Sequence, residues 1–171
     1  MQFKELKQIV PKEICSKCEV CCRFSEQNSV FAPHLLEADL KMLFEAGLSQ
    51  EIIEGFRFKL REENSLYLCP CFKKEKNRCK FYSERPLECR LYPFLLARKN
   101  DKIFLAMDSK CPWVNEQIIK KNTKYIKYLK EFLERKPIIE IISENKSFIG
   151  DYTKDDAVEY LEELKIADAR N

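Results

Sequence analysis

Apolar and polar positions in the first third of the chain predict two short helices. Between Pro33 and Gly47, apolar side chains recur three and four residues apart, which indicates one helical face. Proline favours the first turn of a helix and glycine the position just after its end, so these two residues are expected to bound the element. Ser49 then predicts the cap of a second short helix that contains Ile52, Ile53 and Phe56.

Two β-hairpins are predicted in the middle of the chain. Each consists of two short apolar runs that flank a polar or charged turn, a pattern typical of antiparallel strand pairs. The first hairpin joins residues 66–71 to residues 78–82 across the charged turn 73–77. The second joins residues 94–98 to residues 102–106 across residues 99–101.

Toward the C-terminus the apolar period lengthens to that of a helix. A stripe from Ile118 through Tyr125 to Leu133 predicts a helix, which Pro137 is expected to end. The β-branched segment Ile138–Ile142 fits either a strand or a helix. A last helix is predicted from about Asp155 to Ala167.

Composition excludes several classes of function. The chain has 171 residues, a net charge of +3 and only three glycines, so it carries neither a GxGxxG loop nor a P-loop for nucleotide phosphates. The small net charge gives no reason to expect nucleic acid as a partner. No apolar run is long enough for a membrane span and the N-terminus has no secretory pattern, so a cytoplasmic location without membrane partners is expected.

Cysteine is the exceptional residue, with nine against a single histidine. Four cysteines lie within eight residues, in the sequence Cys-Ser-Lys-Cys-Glu-Val-Cys-Cys. In a helix Cys15, Cys18 and Cys22 would share one face with Cys21 beside them, and in a loop the four could converge still more easily. An odd number of cysteines in a reducing compartment favours metal binding over disulfides.

The remaining cysteines follow at wider intervals and are accompanied by cations. Arg85 and Arg90 lie in the same short stretch as Cys89. A buried centre with several thiolates is negatively charged, so nearby guanidinium groups would neutralise it or donate hydrogen bonds to sulfur. Besides Cys89, the cysteines after the CxxCxxCC segment are Cys69, Cys71, Cys79 and Cys111.

The order of these motifs resembles the YkgJ-like CxxCxxCC cysteine-cluster family, a proposed zinc- or iron-chelating domain. CxxCxxCC, Cys-Pro, Cys-x-x-Tyr, Arg85-Pro86, Cys-Arg-x-Tyr-Pro and Cys-Pro follow one another over residues 15–113. Arg85 and Arg90 match the pattern, whereas Cys71 departs from it and is either a spare thiol or an alternative ligand. The cysteines that the resemblance implies as ligands are Cys15, Cys18, Cys21, Cys22, Cys69, Cys79, Cys89 and Cys111.

Together these observations predict an α+β fold that is mostly α. The expected architecture is a small, irregular domain stapled by metal, with one or two β-hairpins and packed helices, followed by a helical tail. Residues 1–113 would form the cysteine-cluster domain, and residues 114–171 a helical extension packed on it. Eight thiolates allow one centre or two, and the cofactor is a 4Fe-4S iron–sulfur cluster, zinc, or one iron–sulfur cluster together with a zinc. A compact CxxCxxC with a remote fourth cysteine favours iron–sulfur slightly.

The expected function is that of a cytoplasmic metalloprotein whose centre stabilises the region around it. Two alternatives follow from the resemblance or from the chemistry of thiolates. Some relatives of the family are flagellin lysine-N-methylases, which transfer a methyl group from S-adenosylmethionine to protein lysines. A zinc or iron carrier would instead pass its ion to a client protein. The sequence leaves open whether the chain is an enzyme.

Overall fold

The computed structural model describes residues 5–15, 17–18, 20–115 and 123–166. The chain divides into two compact units: the first unit is Val10–Arg90, with Met1, and the second is Leu91–Asn171 together with Gln2–Ile9. Among the described residues, helices account for 34% and strands for 24%, so the predicted α+β class is confirmed and the predicted helical excess is not. The division at residue 113, which rests on the expected ligands, stays a prediction.

The elements are short in both units. The helices are α1 (Lys12–Cys15), α2 (Glu37–Glu45), α3 (Leu87–Leu91), α4 (Pro112–Asn115), α5 (Thr123–Leu133) and α6 (Lys136–Glu144). The strands are β1 (Arg23–Phe24), β2 (Ile53–Glu54), β3 (Arg57–Phe58), β4 (Arg61–Glu63), β5 (Leu66–Leu68), β6 (Phe72–Lys73), β7 (Arg78–Cys79), β8 (Phe94–Lys99), β9 (Lys102–Asp108) and β10 (Val158–Glu163). Within the part of the chain that the structure describes, no helix has the length and apolar character to cross a bilayer.

Over the described part of residues 10–90, three small antiparallel sheets build the first unit. Strand β5 pairs with both β1 and β4, β2 pairs with β3, and β6 pairs with β7. The predicted helix before Gly47 is present as α2, and Gly47 follows its end with a φ of +87°, a conformation that glycine adopts without strain. The predicted turn at residues 73–77 is also present, but it joins β6 to β7, whereas β5 pairs elsewhere.

The helix predicted after Ser49 is wrong. The Ser49 hydroxyl does accept a hydrogen bond from the Glu51 N–H at 3.3 Å, yet only one 3-10 turn, Gln50–Ile52, forms. The chain then enters β2 and turns back at Gly55, whose φ is +57°. A β-branched pair followed by glycine favours a strand and a tight turn over a continued helix.

Cysteines are part of the hydrophobic core of the first unit. Cys69 and Cys71 are both buried in that cluster, and Cys22 and Cys79 pack against it. The apolar members of the buried cluster are Phe24, Ala32, Leu35, Leu43, Leu48, Phe58, Phe72 and Phe81. The thiols therefore lie in apolar surroundings, where an uncompensated charge would be costly.

The second unit contains a three-stranded antiparallel sheet in the order β10, β9, β8. The predicted hairpin at residues 94–106 is confirmed as β8 and β9. Asn100 and Asp101 form its turn with φ values of +50° and +58°, the backbone that a two-residue hairpin turn requires. Leu129, Phe132 and Leu133 of α5 are buried, as the apolar stripe predicts, whereas Ile118 lies outside the described residues.

Two expectations for the C-terminal part are wrong. Pro137 lies in the first turn of α6, where its missing N–H costs nothing, and α5 has already ended at Leu133. The helix predicted from Asp155 is the strand β10, which pairs with β9 over most of its length. The Tyr160 ring packs edge-on against Phe104 of β9, with 5.6 Å between the ring centroids, so cross-strand contacts override local helix propensity. The tail is therefore not purely helical.

Candidate metal centre

The CxxCxxCC segment begins at the end of α1 and turns back on itself. Cys15 is the last residue of α1, and its carbonyl accepts a hydrogen bond from the Cys18 N–H at 3.3 Å. The Cys18 sulfur in turn accepts one from the Val20 N–H at 3.4 Å. Cys21 is exposed and Cys22 half-buried, directly before β1. This local turn keeps Cys15, Cys18 and Cys21 close enough for their charges to interact.

Sheet pairing brings Cys69 beside the end of this segment. Arg23 of β1 is paired with Leu68 of β5, and one residue further the Cys69 N–H donates to the Cys22 carbonyl at 2.9 Å. The Phe72 N–H then donates to the Cys69 carbonyl, also at 2.9 Å, which closes a turn. Two segments that lie more than forty residues apart in the sequence thus meet through backbone hydrogen bonds.

The β6–β7 hairpin adds two further thiols. Phe72 is paired with Cys79 across the hairpin, and the Lys80 N–H donates to the Cys71 carbonyl at 2.7 Å. The thiol of Cys69 is hydrogen-bonded to that of Cys71. Strand pairing alone therefore holds Cys69, Cys71 and Cys79 in one small region.

Cys89 lies on α3, which two carboxylates tie to the segment that leads into α2. The Asp39 carboxylate is 2% exposed and accepts from the Leu36 N–H at 3.1 Å and from the Leu87 N–H at 3.2 Å. The Glu88 carboxylate accepts from the His34 N–H at 2.6 Å. The Leu87–Asp39 and His34–Glu88 bonds both hold the beginning of α3. The position of Cys89 is therefore fixed by groups outside its own helix.

The thiols influence one another's ionisation, which shows their proximity. Burial, with smaller contributions from the neighbouring thiols of Cys69 and Cys21, raises the pKa of Cys79 to about 11. Burial likewise raises the pKa of Cys89 well above its usual value, again with contributions from Cys69, Cys21 and Cys79. Raised pKa values are found for Cys15, Cys18, Cys21, Cys22, Cys69, Cys79 and Cys89. A metal that binds here must displace protons from these groups.

Arg85 is the cation that opposes these shifts. Its guanidinium is nearly buried, at 9% exposure, and lies 3.6 Å from the centroid of the Tyr82 ring. Its Nε donates to the Tyr82 carbonyl at 2.9 Å. The positive charge lowers the pKa values of Cys15, Cys21 and Cys79, against the larger effect of burial on Cys15 and Cys79 and of the hydrogen bond with Cys22 on Cys21.

Arg90 lies next to Cys89 on α3 and is half-buried. Burial lowers the pKa of this guanidinium, whereas the negative charges of Asp39 and Cys89 act in the opposite direction. Arg90 is thus placed between the carboxylate that holds α3 and the thiol that α3 presents. Its role at a centre stays a prediction, as does that of Arg85.

Seven of the eight cysteines predicted as ligands belong to the first unit, and Cys71 joins them there. Cys111 belongs to the second unit, where it is 3% exposed and directly precedes α4. All nine cysteines are among the described residues and all are free thiols. Across residues 5–15, 17–18, 20–115 and 123–166, no three His, Cys, Asp or Glu side chains are already converged as a metal site. The predicted ligand set therefore stays a prediction.

Two side chains near the cysteines were missed from the sequence. Tyr82, whose hydroxyl donates to the Cys15 sulfur, is the last residue of the Cys-x-x-Tyr motif, so the motif itself was a usable signal. Asp39 carried no comparable signal, because an acid in the first turn of a helix is normally a surface residue that favours the helix N-terminus. Its partner, the Leu87 N–H, lies 48 residues further along the chain.

The donor set suits a soft, thiophilic metal. Sulfur is the shared donor of the clustered residues, and the one histidine contributes its backbone N–H to Glu88. Thiolates of this kind bind zinc and iron–sulfur clusters, whereas carboxylate and carbonyl oxygens are what magnesium and calcium require. The residues present therefore fit zinc or iron chemistry.

Comparison with protein families gives one match. The model of a family described as "CxxCxxCC: Putative zinc- or iron-chelating domain" matches residues 14–112, more than half of the chain. The search of curated proteins and the search of solved structures found no match. The matched range begins just before the first cysteine of the cluster and ends just after the last.

Proposed function

The chain belongs to the CxxCxxCC family of zinc- or iron-chelating domains, and from this premise we propose that it holds an iron–sulfur cluster or zinc through cysteine thiolates. The observation that carries the proposal is the clustering of thiols from separate chain segments in the first unit. Cys22 and Cys69 are joined through their backbones, and Cys79 and Cys89 each respond electrostatically to Cys69. Thiols from separate segments in one small region supply the soft donors that zinc and iron–sulfur clusters require.

The proposed ligands are the eight cysteines of the family pattern, and Cys71 is an alternative for one of them. Cys71 is buried and hydrogen-bonded to Cys69, so it is a candidate to take the place of Cys111. The ligand positions common to both versions are Cys15, Cys18, Cys21, Cys22, Cys69, Cys79 and Cys89. In either version the centre takes up protons when it loses its metal, because the thiol pKa values are raised.

An iron–sulfur cluster is the favoured cofactor. The compact CxxCxxC spacing with a remote fourth cysteine is the arrangement of bacterial ferredoxins, whereas zinc ribbons use two separated CxxC pairs. After the CxxCxxCC segment, Cys69, Cys79 and Cys89 are widely and evenly spaced, so a second CxxC pair is missing from the sequence. Zinc is the alternative outcome.

Anaerobic purification followed by iron, zinc and acid-labile sulfide analysis tests the proposal. We expect iron and sulfide in stoichiometric amounts and a broad visible absorption from charge transfer between sulfur and iron. Colourless protein with stoichiometric zinc would assign zinc and reject the cluster. Protein that carries neither metal after growth with both would overturn the proposal itself.

Single serine substitutions test the ligand set. Cys18→Ser and Cys89→Ser are each expected to lose at least half of the bound metal. Comparing Cys71→Ser with Cys111→Ser then identifies the remaining ligand, since only the variant that removes a true ligand should lose metal. The far-ultraviolet circular dichroism of every variant serves as the control for folding. Full metal content in both Cys18→Ser and Cys89→Ser would refute the assignment.

A further inference from the structure

A pocket lies beside the cysteine cluster, in the first unit. Its volume is about 210 Å³, below the range of about 300–1,000 Å³ that is usual for drug-sized ligands. Its walls come from α1, from β7 and from the segment that follows β7. The lining includes Lys12, Arg78, Cys79, Lys80, Tyr82 and Glu84.

The residues that line this pocket carry more positive than negative charge. Lys12, Arg78 and Lys80 are all exposed, and Glu84 is the one carboxylate among the lining residues. Among the residues that the structure describes, none of the three cations forms an ion pair, and Lys80 instead lies 4.8 Å from the centroid of the Phe81 ring. Three cations around one small cavity repel one another, and a bound anion would relieve that repulsion.

Arg85, the nearly buried cation beside the cysteines, is not among the lining residues. The cations of the pocket are a separate and exposed group, in which Lys12 comes from α1, Arg78 from β7 and Lys80 from the residue after β7.

We propose that this pocket binds a small oxyanion, through a phosphate or carboxylate group, at the edge of the cysteine cluster. The planar fork of Arg78 suits two oxygens of one such group, and the two ammonium groups add point charges around it. The pocket volume limits the ligand to an inorganic ion or a small organic acid. This function goes beyond metal binding, and because the cations belong to the chain itself it does not require that the metal be present.

The position of the pocket would couple the anion to the centre. Cys79 is part of the wall, and the Tyr82 hydroxyl, on the same wall, donates to the Cys15 sulfur. An anion bound here thus lies beside Cys79, one of the proposed metal ligands, and is connected to Cys15 through Tyr82.

Isothermal titration calorimetry on the purified full chain tests the proposal. Phosphate, sulfate and acetate are titrated separately at constant ionic strength in sodium chloride, which distinguishes phosphate-like from carboxylate ligands. We expect saturable binding of at least one of them. Arg78→Gln and Lys12→Gln should each weaken it by about tenfold or more, since each removes a charged hydrogen-bond donor. Arg61→Gln, which removes an exposed cation of the same unit outside the pocket, is the matched control and should bind as the unsubstituted protein does.

Several results would overturn the inference. These are the absence of saturable binding for all three anions, equal weakening by Arg78→Gln and Arg61→Gln, and loss of metal in Arg78→Gln, which would give that cation to the centre instead. Metal content measured on the same samples separates this inference from the proposed function. Normal metal without anion binding rejects the pocket alone, and anion binding by protein that never carries metal rejects the metal centre alone.

Discussion

At the scale of single residues, Arg85 is the side chain whose surroundings explain most about the cysteines. It is nearly buried, stacked on Tyr82 and electrostatically linked to three thiols. Its charge lowers the pKa values of Cys15, Cys21 and Cys79 and so favours their thiolate forms. If these cysteines bind a metal as proposed, Arg85 would support the ligands electrostatically.

Replacing Arg85 by Met is predicted to weaken metal binding. The change keeps an apolar stem of similar length but removes the charge that favours thiolate at Cys15, Cys21 and Cys79. We expect a loss of about 10–100-fold in metal affinity, the range typical of groups that support metal ligands, with Arg85→Lys intermediate. Competition with a chromophoric chelator measures the affinity, and Arg61→Met is the charge-matched control. Equal metal affinity in Arg85→Met and the unsubstituted protein would show that Arg85 does not support the metal ligands.

At the scale of elements, Asp39 joins the N-termini of α2 and α3, in addition to the Glu88–His34 hydrogen bond between α3 and the segment before α2. One carboxylate oxygen caps the N-terminus of α2, and the other accepts the first N–H of α3, the helix that carries Cys89. Asp39→Ala leaves two buried N–H groups without acceptors, so we expect a loss of about 1–3 kcal/mol in the free energy of unfolding. Urea unfolding measures it. Glu37→Ala, an exposed acid in the same turn of α2, should change the stability much less.

The stability contributed by Asp39 should also depend on pH. Burial raises the pKa of this carboxyl to about 6, from an ordinary value near 4. The folded state therefore binds the proton more tightly than the unfolded state, and the associated stability is present below pH 4 and is lost as the pH rises through 6. The difference in unfolding free energy between the unsubstituted protein and Asp39→Ala is thus expected to be larger at pH 4.5 than at pH 7. Metal-free, reduced samples of both proteins should be compared, and a constant difference would contradict the assignment.

The elements also show which parts of the fold the sequence could predict. Helix α2 and the β8–β9 hairpin were predictable because their signals are local: Gly47 at a helix end, and Asn100 and Asp101 in a tight turn. Strand β10 was not, because its conformation is decided by a partner strand at least fifty residues earlier in the chain. The cysteine cluster was predictable as a family pattern, whereas Asp39 was not, since its role depends on a backbone group far away in the sequence.

At the scale of the whole molecule, the two units differ in the interactions that stabilise each one internally. The second unit has a continuous sheet and two helices with buried apolar faces. The first unit has strands of two or three residues and a core in which thiols occupy several places that aliphatic side chains usually take. Because regular hydrogen bonds are few in the first unit, we expect a metal bound by its cysteines to contribute a large part of its stability.

Metal removal is therefore predicted to affect the two units unequally. Hydrogen exchange measured by mass spectrometry before and after chelation under reducing conditions should show faster exchange in peptides from residues 20–90. Peptides from β8 and β9 should keep their protection, because their hydrogen bonds and apolar contacts lie within the second unit. Re-addition of the metal should restore protection in the first unit, which controls for irreversible damage. Equal loss of protection in both sets of peptides would mean that the chain unfolds as one cooperative body, and unchanged protection in both would mean that the metal contributes nothing to stability.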